Sequence, residues 1–145
     1  MKRSALVTGA GGAIGSALVR RLLERDYRVC ALIRESGAGR MPEGVEVFRG
    51  DITDCELVRQ AVANVDTVFH LAAKLHINNP APGLKDEYFR VNVEGTRCLA
   101  GAARAAKVER LVFFSSISVY GSSHPGELFD EETPPAPDSW YAETK

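Results

Sequence analysis

The sequence predicts an α/β protein built on a doubly wound parallel sheet, and three observations carry that prediction. Short apolar runs alternate with helix-period segments along the whole chain, the β-α-β-α order that puts helices on both faces of a parallel sheet. The first apolar run stops at a glycine-rich turn, Gly9-Ala10-Gly11-Gly12-Ala13-Ile14-Gly15, and a helical pattern starts directly behind it. Small and polar residues then collect where the runs end: Thr8-Gly9, Gly50-Asp51, His70-Leu71-Ala72-Ala73 and Ser115-Ser116. In such sheets the carboxyl ends of the strands are where ligands bind.

The elements follow in order. Ser4–Thr8 is the first predicted strand. Ala13–Arg25 is a helix, with Ile14, Leu18, Leu22 and Leu23 on one face. Arg28–Ile33 is the second strand, and Glu35–Gly44 a loop, broken by Gly37, Gly39, Pro42 and Gly44. Val45–Arg49 is a short third strand. Thr53 is placed to cap the next helix, with Glu56 completing a capping box, and that helix runs to about Ala63. Thr67–Leu71 is a fourth strand, Asp86–Ala106 a long helix and Arg110–Ser115 a fifth strand. Gly121–Asp138, with four prolines and several acids, reads as a surface loop or lid.

Composition sets limits. A chain of 145 residues is one domain by length, and 45% hydrophobic residues suffice for a real core. A net charge of −1 gives no general attraction to nucleic acid or to anionic membranes. No apolar stretch is long enough to span a bilayer, and the glycines cut short any signal-like run after Lys2-Arg3. Cys30, Cys55 and Cys98 are odd in number and widely spaced. They fit neither a zinc pattern nor a disulfide framework, so a reducing cytoplasm is the expected compartment.

The glycine turn points to a bound anion. A helix N-terminus offers free N–H groups and partial positive charge. Gly9 allows a sharp turn, Gly12 lets a pyrophosphate approach the backbone, and Gly15 lets the helix pack close to the strand. The spacing is Gly-x-x-Gly-x-x-Gly, since Ile14 stands where the commonest dinucleotide fingerprint needs a glycine. The second strand ends Ile33-Arg34, with Ile33 where a dinucleotide site usually carries a ribose-binding carboxylate. Arg34 suits a 2′-phosphate, so the reading leans to NADP and leaves NAD open. Asp51 is placed either to meet the adenine edge or to begin a turn.

The last residues, Tyr141-Ala142-Glu143-Thr144-Lys145, put a phenol and an ammonium on one helix face at i and i+4. A cation there favours the phenolate and suits Tyr141 to general acid/base work. Just upstream lies Phe113-Phe114-Ser115-Ser116-Ile117-Ser118-Val119-Tyr120-Gly121.

Taken together, these pieces resemble the extended short-chain dehydrogenase/reductase family, in its NAD(P)-dependent epimerase/dehydratase branch. The resemblance rests on Thr8 to Gly15, Gly50-Asp51-Ile52-Thr53-Asp54, His70-Leu71-Ala72-Ala73, Asn92-Val93-Glu94-Gly95-Thr96, Ser115-Ser116 with Val119-Tyr120-Gly121, and Tyr141-x-x-x-Lys145, in the family's order and spacing. It implies a Rossmann-like sheet and an NAD(P) cofactor. It makes Ser116, Tyr141 and Lys145 the catalytic residues, with Lys145 also holding the nicotinamide ribose. Gly9, Gly12, Ala13, Ile14 and Gly15 would hold the pyrophosphate. Asp51 and Ile52 would flank the adenine, Leu71, Ala72 and Ala73 would wall the cofactor, and Asn92 would be a polar anchor or else face solvent. His70 is expected to be a satisfied strand-end histidine rather than a catalyst, and Tyr120 and Trp140 packing or pocket wall.

The implied reaction is reversible hydride transfer at a carbon bearing a hydroxyl. Residues His70 to His76 and Asn92 to Thr96 look like those of sugar-nucleotide epimerases and reductases, so the expected partner is a nucleotide-sugar. A net reductase of the same family and a non-catalytic cofactor-binding module stay open, and the intact Ser116, Tyr141 and Lys145 argue against the last. The family continues past the position of Lys145 into a substrate-binding region. The chain is therefore expected to be a partial dinucleotide-binding domain over 1–145, with its carboxyl-terminal part truncated. The parent is expected to be a homodimer, and this chain alone to turn over little.

Overall fold

The structure is a computed structural model that describes residues 2–36, 41–75, 81, 83–122, 126 and 128–145. Gly37, Gly39, His76 and Pro125, used in the sequence readings above, lie outside the described residues.

Five parallel strands form one sheet in the order β3-β2-β1-β4-β5. They are β1 (Ser4–Thr8), β2 (Arg28–Ile33), β3 (Glu46–Arg49), β4 (Thr67–His70) and β5 (Arg110–Phe113). Helix α1 (Ala13–Glu24) joins β1 to β2, and α2 (Cys55–Val62) joins β3 to β4. Between β4 and β5 the chain runs through α3 (Leu84–Tyr88), a π-helical stretch (Phe89–Glu94) and α4 (Gly95–Ala105). A 3-10 turn (Ile117–Tyr120) and the short α5 (Trp140–Glu143) follow. The doubly wound parallel sheet is therefore present as predicted.

The side-chain alternation of the strands divides the core. Ala5 and Val7 of β1, with Val29, Ala31 and Ile33 of β2, pack under Val19 and Leu22 of α1. Leu6, Cys30 and Leu32 point to the other face, against Val58 and Val62 of α2 and Leu99 and Ala103 of α4. A strand buried on both faces must be apolar at consecutive positions, which is why β1 and β2 match their predicted bounds residue for residue.

Three local readings are corrected. Helix α2 is capped by Asp54, whose carboxylate accepts from the N–H groups of Glu56 and Leu57. Thr53 cannot serve, because its N–H and hydroxyl both donate to Asp51 Oδ1. Glu56 does not close a capping box; its carboxylate pairs with Arg59. The helix predicted over Asp86–Ala106 begins at Leu84 and is π-helical in its middle. Finally, Cys55 and Cys98 form a disulfide between α2 and α4, with Cα atoms 5.5 Å apart, while Cys30 is a buried free thiol. Their separation of 43 residues hid a contact that only helix packing creates. Among the described residues no helix is long and apolar enough to cross a membrane.

Candidate functional site

The strand order changes direction between β1 and β4, so the loops after these two strands diverge and leave a crevice at their carboxyl ends. The glycine turn forms one wall. Gly9 turns at φ +70°, and its N–H donates to Leu32 C=O at 3.1 Å, which ties the turn to β2. A Cβ on Gly9 would sit 2.8 Å from Ala72 N, so Leu71 and Ala72 on the β4 loop press directly on the turn. Gly15 is closer still: its Cβ would meet Gly9 O at 2.3 Å. These two glycines answer to the protein's own packing. Gly12 differs, since its nearest neighbour across such a Cβ is Gly9 O at 3.4 Å, ordinary contact. The protein itself thus leaves the space over the Gly12 backbone open, which leaves room for a ligand there.

Helix α1 starts at Gly12 with no side-chain cap and no acid in its first turn, whereas α2 carries a full Asp cap. Its first N–H groups therefore face the crevice with the helix dipole behind them, which suits an anion. Ile14, beside them, is 65% exposed, an apolar residue at the mouth of the crevice. Arg34 is the first exposed side chain after β2, while Ile33 is buried in the core. A ligand group at that corner would meet a guanidinium and no carboxylate from position 33.

On the other side of the crevice, Ser116 caps the 3-10 turn. Its Oγ accepts from Ser118 N–H at 3.2 Å and donates to Ser118 Oγ at 3.1 Å. Ser115 Oγ donates to the Lys145 carbonyl at 3.2 Å, so the end of β5 holds the segment that carries Tyr141 and Lys145. Ser139 caps α5 through Ala142 N–H, and Tyr141 is half-buried on that helix. Lys145 lies past the end of α5, with its ammonium 4.6 Å from the centre of the Phe113 ring. Its partial burial lowers its pKa. Ser116, Tyr141 and Lys145 thus belong to segments that the fold joins at the carboxyl end of β5.

Asn92 does not face solvent. The π-helical stretch turns it inward, where it is 3% exposed. Its Oδ1 accepts from Lys74 N–H at 2.6 Å, and its Nδ2 donates to Lys74 C=O and to Thr144 Oγ1. One side chain therefore ties the β4 loop to the Tyr141–Lys145 segment. Asp51 begins a turn at the carboxyl end of β3: it accepts two bonds from Thr53 and faces Arg90 at 3.4 Å. Burial pushes its carboxyl up, but those bonds and the guanidinium outweigh it and hold the carboxyl below the usual range. Ile52, next to it, is buried against Gly95.

His70 is satisfied, as expected for a strand-end histidine, and its partners fix its tautomer. Thr96 hydroxyl donates to Asn92 C=O at 2.5 Å, so it accepts from His70 Nε2–H at 2.9 Å. Thr8 Oγ1 accepts from Ala72 N–H and donates to His70 Nδ1 at 2.7 Å. Neither Thr8 nor Thr96 stands out in the sequence, and Thr144 is equally silent there; the only hint was hydroxyls inside the quoted motifs. Burial, then the nearby Lys145 charge, pushes the His70 pKa down to about 4.

That shift has a measurable consequence. Above pH 6.5 the imidazole is neutral in both folded and unfolded chains, and it costs nothing. As pH falls from 6.5 towards 4, the unfolded chain gains a proton that the folded chain does not, so stability drops. The full gap is worth about 3 kcal/mol. Denaturant midpoints measured through this interval should fall for the native chain and flatten for His70→Asn; equal slopes would show that His70 takes up its proton in the folded state. The lowered carboxylates Asp51, Asp66 and Asp130 lose their stabilisation at lower pH, as they protonate, which separates the two windows.

Two further cavities lie elsewhere. One of about 610 Å³ opens at the amino ends of the strands, among Lys2, Arg3, Arg28, Asp66 and Arg110. The other, about 570 Å³, lies beside Trp140 and Asp138. The first is at the end opposite the crevice, and two of its cations are engaged, Lys2 by Asp26 and Arg28 by Asn64 C=O. Among the described residues no cluster of three His, Cys, Asp or Glu side chains could hold a metal ion.

Known proteins share this arrangement. A family model described as NAD dependent epimerase/dehydratase family matches residues 5–145. The chain is 42% identical over 144 residues to a 2-alkyl-3-oxoalkanoate reductase of Stenotrophomonas maltophilia, covering 97% of this chain and 42% of that protein. It is 39% identical over 149 residues to a 3 beta-hydroxysteroid dehydrogenase/Delta 5→4-isomerase of Mycobacterium tuberculosis, covering 97% and 39%. The UDP-glucose 4-epimerase of Thermus thermophilus, solved in complex with NAD, superposes with a TM-score of 0.86 at 37% identity, covering 98% of this chain and 47% of that one. The chain thus spans less than half the length of these relatives.

Proposed function

The chain belongs to the NAD dependent epimerase/dehydratase family, and from that premise we propose that it is the cofactor-binding half of an enzyme working by reversible hydride transfer on a nucleotide-sugar. The observation that carries this reading is the uncapped start of α1 at the β1/β4 crevice, together with the tie between the end of β5 and the Tyr141–Lys145 segment. Gly9, Gly12, Ala13, Ile14 and Gly15 receive the pyrophosphate, with Gly12 leaving room for it. Asp51 and Ile52 border the adenine, and Leu71, Ala72 and Ala73 form the wall beside the cofactor. Asn92 acts as the anchor that holds this wall to the Tyr141 segment.

When bound, the nicotinamide supplies the hydride acceptor and donor. The chain's own residues do the rest. Ser116 hydroxyl orients the reacting oxygen of the substrate. Tyr141 removes the hydroxyl proton of that carbon and returns one in the reverse direction. Lys145 ammonium favours the phenolate and holds the ribose. The substrate pocket comes from sequence outside these residues, and the working protein is a homodimer.

A second reading, a net reductase, is favoured by the 42% identity to the oxoalkanoate reductase. The two separate on cofactor. In an assay of the full-length protein with nucleotide-sugars and with 3-oxo acids, an epimerase converts sugar with no net change in reduced nicotinamide, while a reductase acting on a 3-oxo acid consumes it mole for mole. Conversion of neither substrate would overturn both readings.

The Arg34 assignment favours NADP, although the Thermus relative carries NAD. Replacing Arg34 by alanine should weaken NADP about tenfold relative to NAD, the scale of one charge-assisted hydrogen bond at an exposed site. An unchanged ratio in a binding titration would remove Arg34 from the cofactor site.

A further inference from the structure

One stripe of the helix after β4 is fastened to the turn between β3 and α2 at three successive levels. Arg90 Nη1 reaches Thr53 Oγ1 at 3.0 Å and Asp51 Oδ2 at 3.4 Å. One turn on, Ile52 lies against the bare backbone of Gly95, where a Cβ would meet its Cγ2 at 2.6 Å. One turn further, Cys98 is bonded to Cys55. Residues 90 and 95 are about one turn apart through the π-helical stretch, and 95 and 98 lie three apart in α4, which puts all three on one side of the helix. The same helix carries Asn92, which holds the wall of the crevice and Thr144.

These ties differ in kind. The Arg90 pair is half-exposed and contributes little in water. The Ile52–Gly95 contact is apolar packing that lasts only while the turn stays docked on the helix. The Cys55–Cys98 bond is the one that chemistry can make or break. Its Cα separation of 5.5 Å lies within the range a disulfide spans without backbone movement. Cys55 is exposed, and Cys98 is half-buried. The third thiol stays out of the exchange. Cys30 is buried and donates to Glu46, and its pKa is raised to about 11 by burial first and then by that carboxylate.

We propose that Cys55 and Cys98 are a redox-reversible clasp that sets dinucleotide affinity by fixing the Asp51–Ile52 turn to the helix. The proposal rests on the reading that this turn borders the adenine. In the forward step, Cys55 thiolate attacks a small disulfide such as oxidised glutathione and releases one thiolate. Cys98 thiolate then displaces the second from the mixed disulfide. The two cysteines lose two protons and two electrons, and the oxidant becomes two thiols. An excess of small thiol reverses both steps. With the clasp closed, the turn is preorganised for the ligand; opened, it must be ordered on binding. By reciprocity, bound dinucleotide protects the clasp from reduction by the same factor.

The test equilibrates the purified protein in glutathione buffers of different poise. Each sample is split between non-reducing peptide mapping and calorimetric titration with NAD and NADP. Linked Cys55 and Cys98 peptides are expected in the oxidised samples and free ones in the reduced samples. The oxidised form should bind about fivefold tighter or more, the low end of typical coupling between sites. Cys55→Ser and Cys98→Ser should bind like the reduced form whatever the buffer. Peptides unlinked at every poise would overturn the clasp, and linked peptides with equal affinities would overturn the coupling. No binding in either form would instead overturn the cofactor reading, so the two failures are distinct.

Discussion

In the full-length protein, replacing Tyr141 by phenylalanine is expected to lower kcat by about a hundredfold to ten-thousandfold, the range set by losing one positioned general acid/base. Dinucleotide affinity should change little, because the ring that fills the half-buried site on α5 is kept and only the phenol oxygen is removed. The split between kcat and affinity matters. Tyr141 sits on a helix anchored by Ser139 at its start and by Thr144 to Asn92 near its end, so a structural role would reduce binding and stability together. A decrease of less than tenfold in kcat would take Tyr141 out of the proton-transfer role.

Lys145 needs a different argument. Its ammonium lies over the Phe113 ring, partly buried, and that burial already costs the charged form. An ammonium held in such a place gains more from a nearby anion than one in open water does. The regular helix ends at Glu143, so Lys145 lies past it and over the Phe113 ring rather than one helical turn along from Tyr141, as the i, i+4 spacing had suggested.

The legible and illegible parts of this fold divide by range. β1 and β2 were legible because burial on both faces forces uninterrupted apolar runs, and the turn behind β1 because three glycines cluster where a strand meets a helix. The helix after β4 was legible as a helix but not in its π-helical middle, since the apolar pattern says nothing about the turn that rotates Asn92 inward. The Thr8–His70–Thr96 chain depends on the pairing of Thr8 with His70 across two parallel strands, 62 residues apart. The Cys55–Cys98 link needs the crossing of α2 with α4. The Asp54 cap was misread for a local reason. Thr and Asp in succession both suit a cap, and the choice was made by Asp51, which takes up the Thr53 donors.

The glycines supply the second large effect, and they do so with opposite signs for one chemical change. Gly15→Ala places a methyl 2.3 Å from Gly9 O and 2.8 Å from Ala10 Cα. Both neighbours are backbone atoms of the turn itself, so no side-chain rotation relieves the clash. The turn or the helix must shift, at a cost of about 1–3 kcal/mol from overpacking. For a chain of this length that is a melting temperature lower by very roughly 2–12 °C. Because the displaced atoms form the glycine wall of the crevice, where the proposed pyrophosphate lies, dinucleotide affinity should fall with stability. Gly101→Ala is the counterpart. Gly101 lies in α4, is exposed, and nothing stands within 4 Å of its would-be Cβ. There the methyl restricts only the unfolded chain and favours the helix, so the chain should gain about 0.4–1 kcal/mol. Thermal melts of the two variants, each with and without NAD, should move in opposite directions, with the ligand-induced increase kept in Gly101→Ala and diminished in Gly15→Ala. A Gly15→Ala chain that melts and binds like the native one would mean that the close approach of α1 to the glycine turn is not needed for the site.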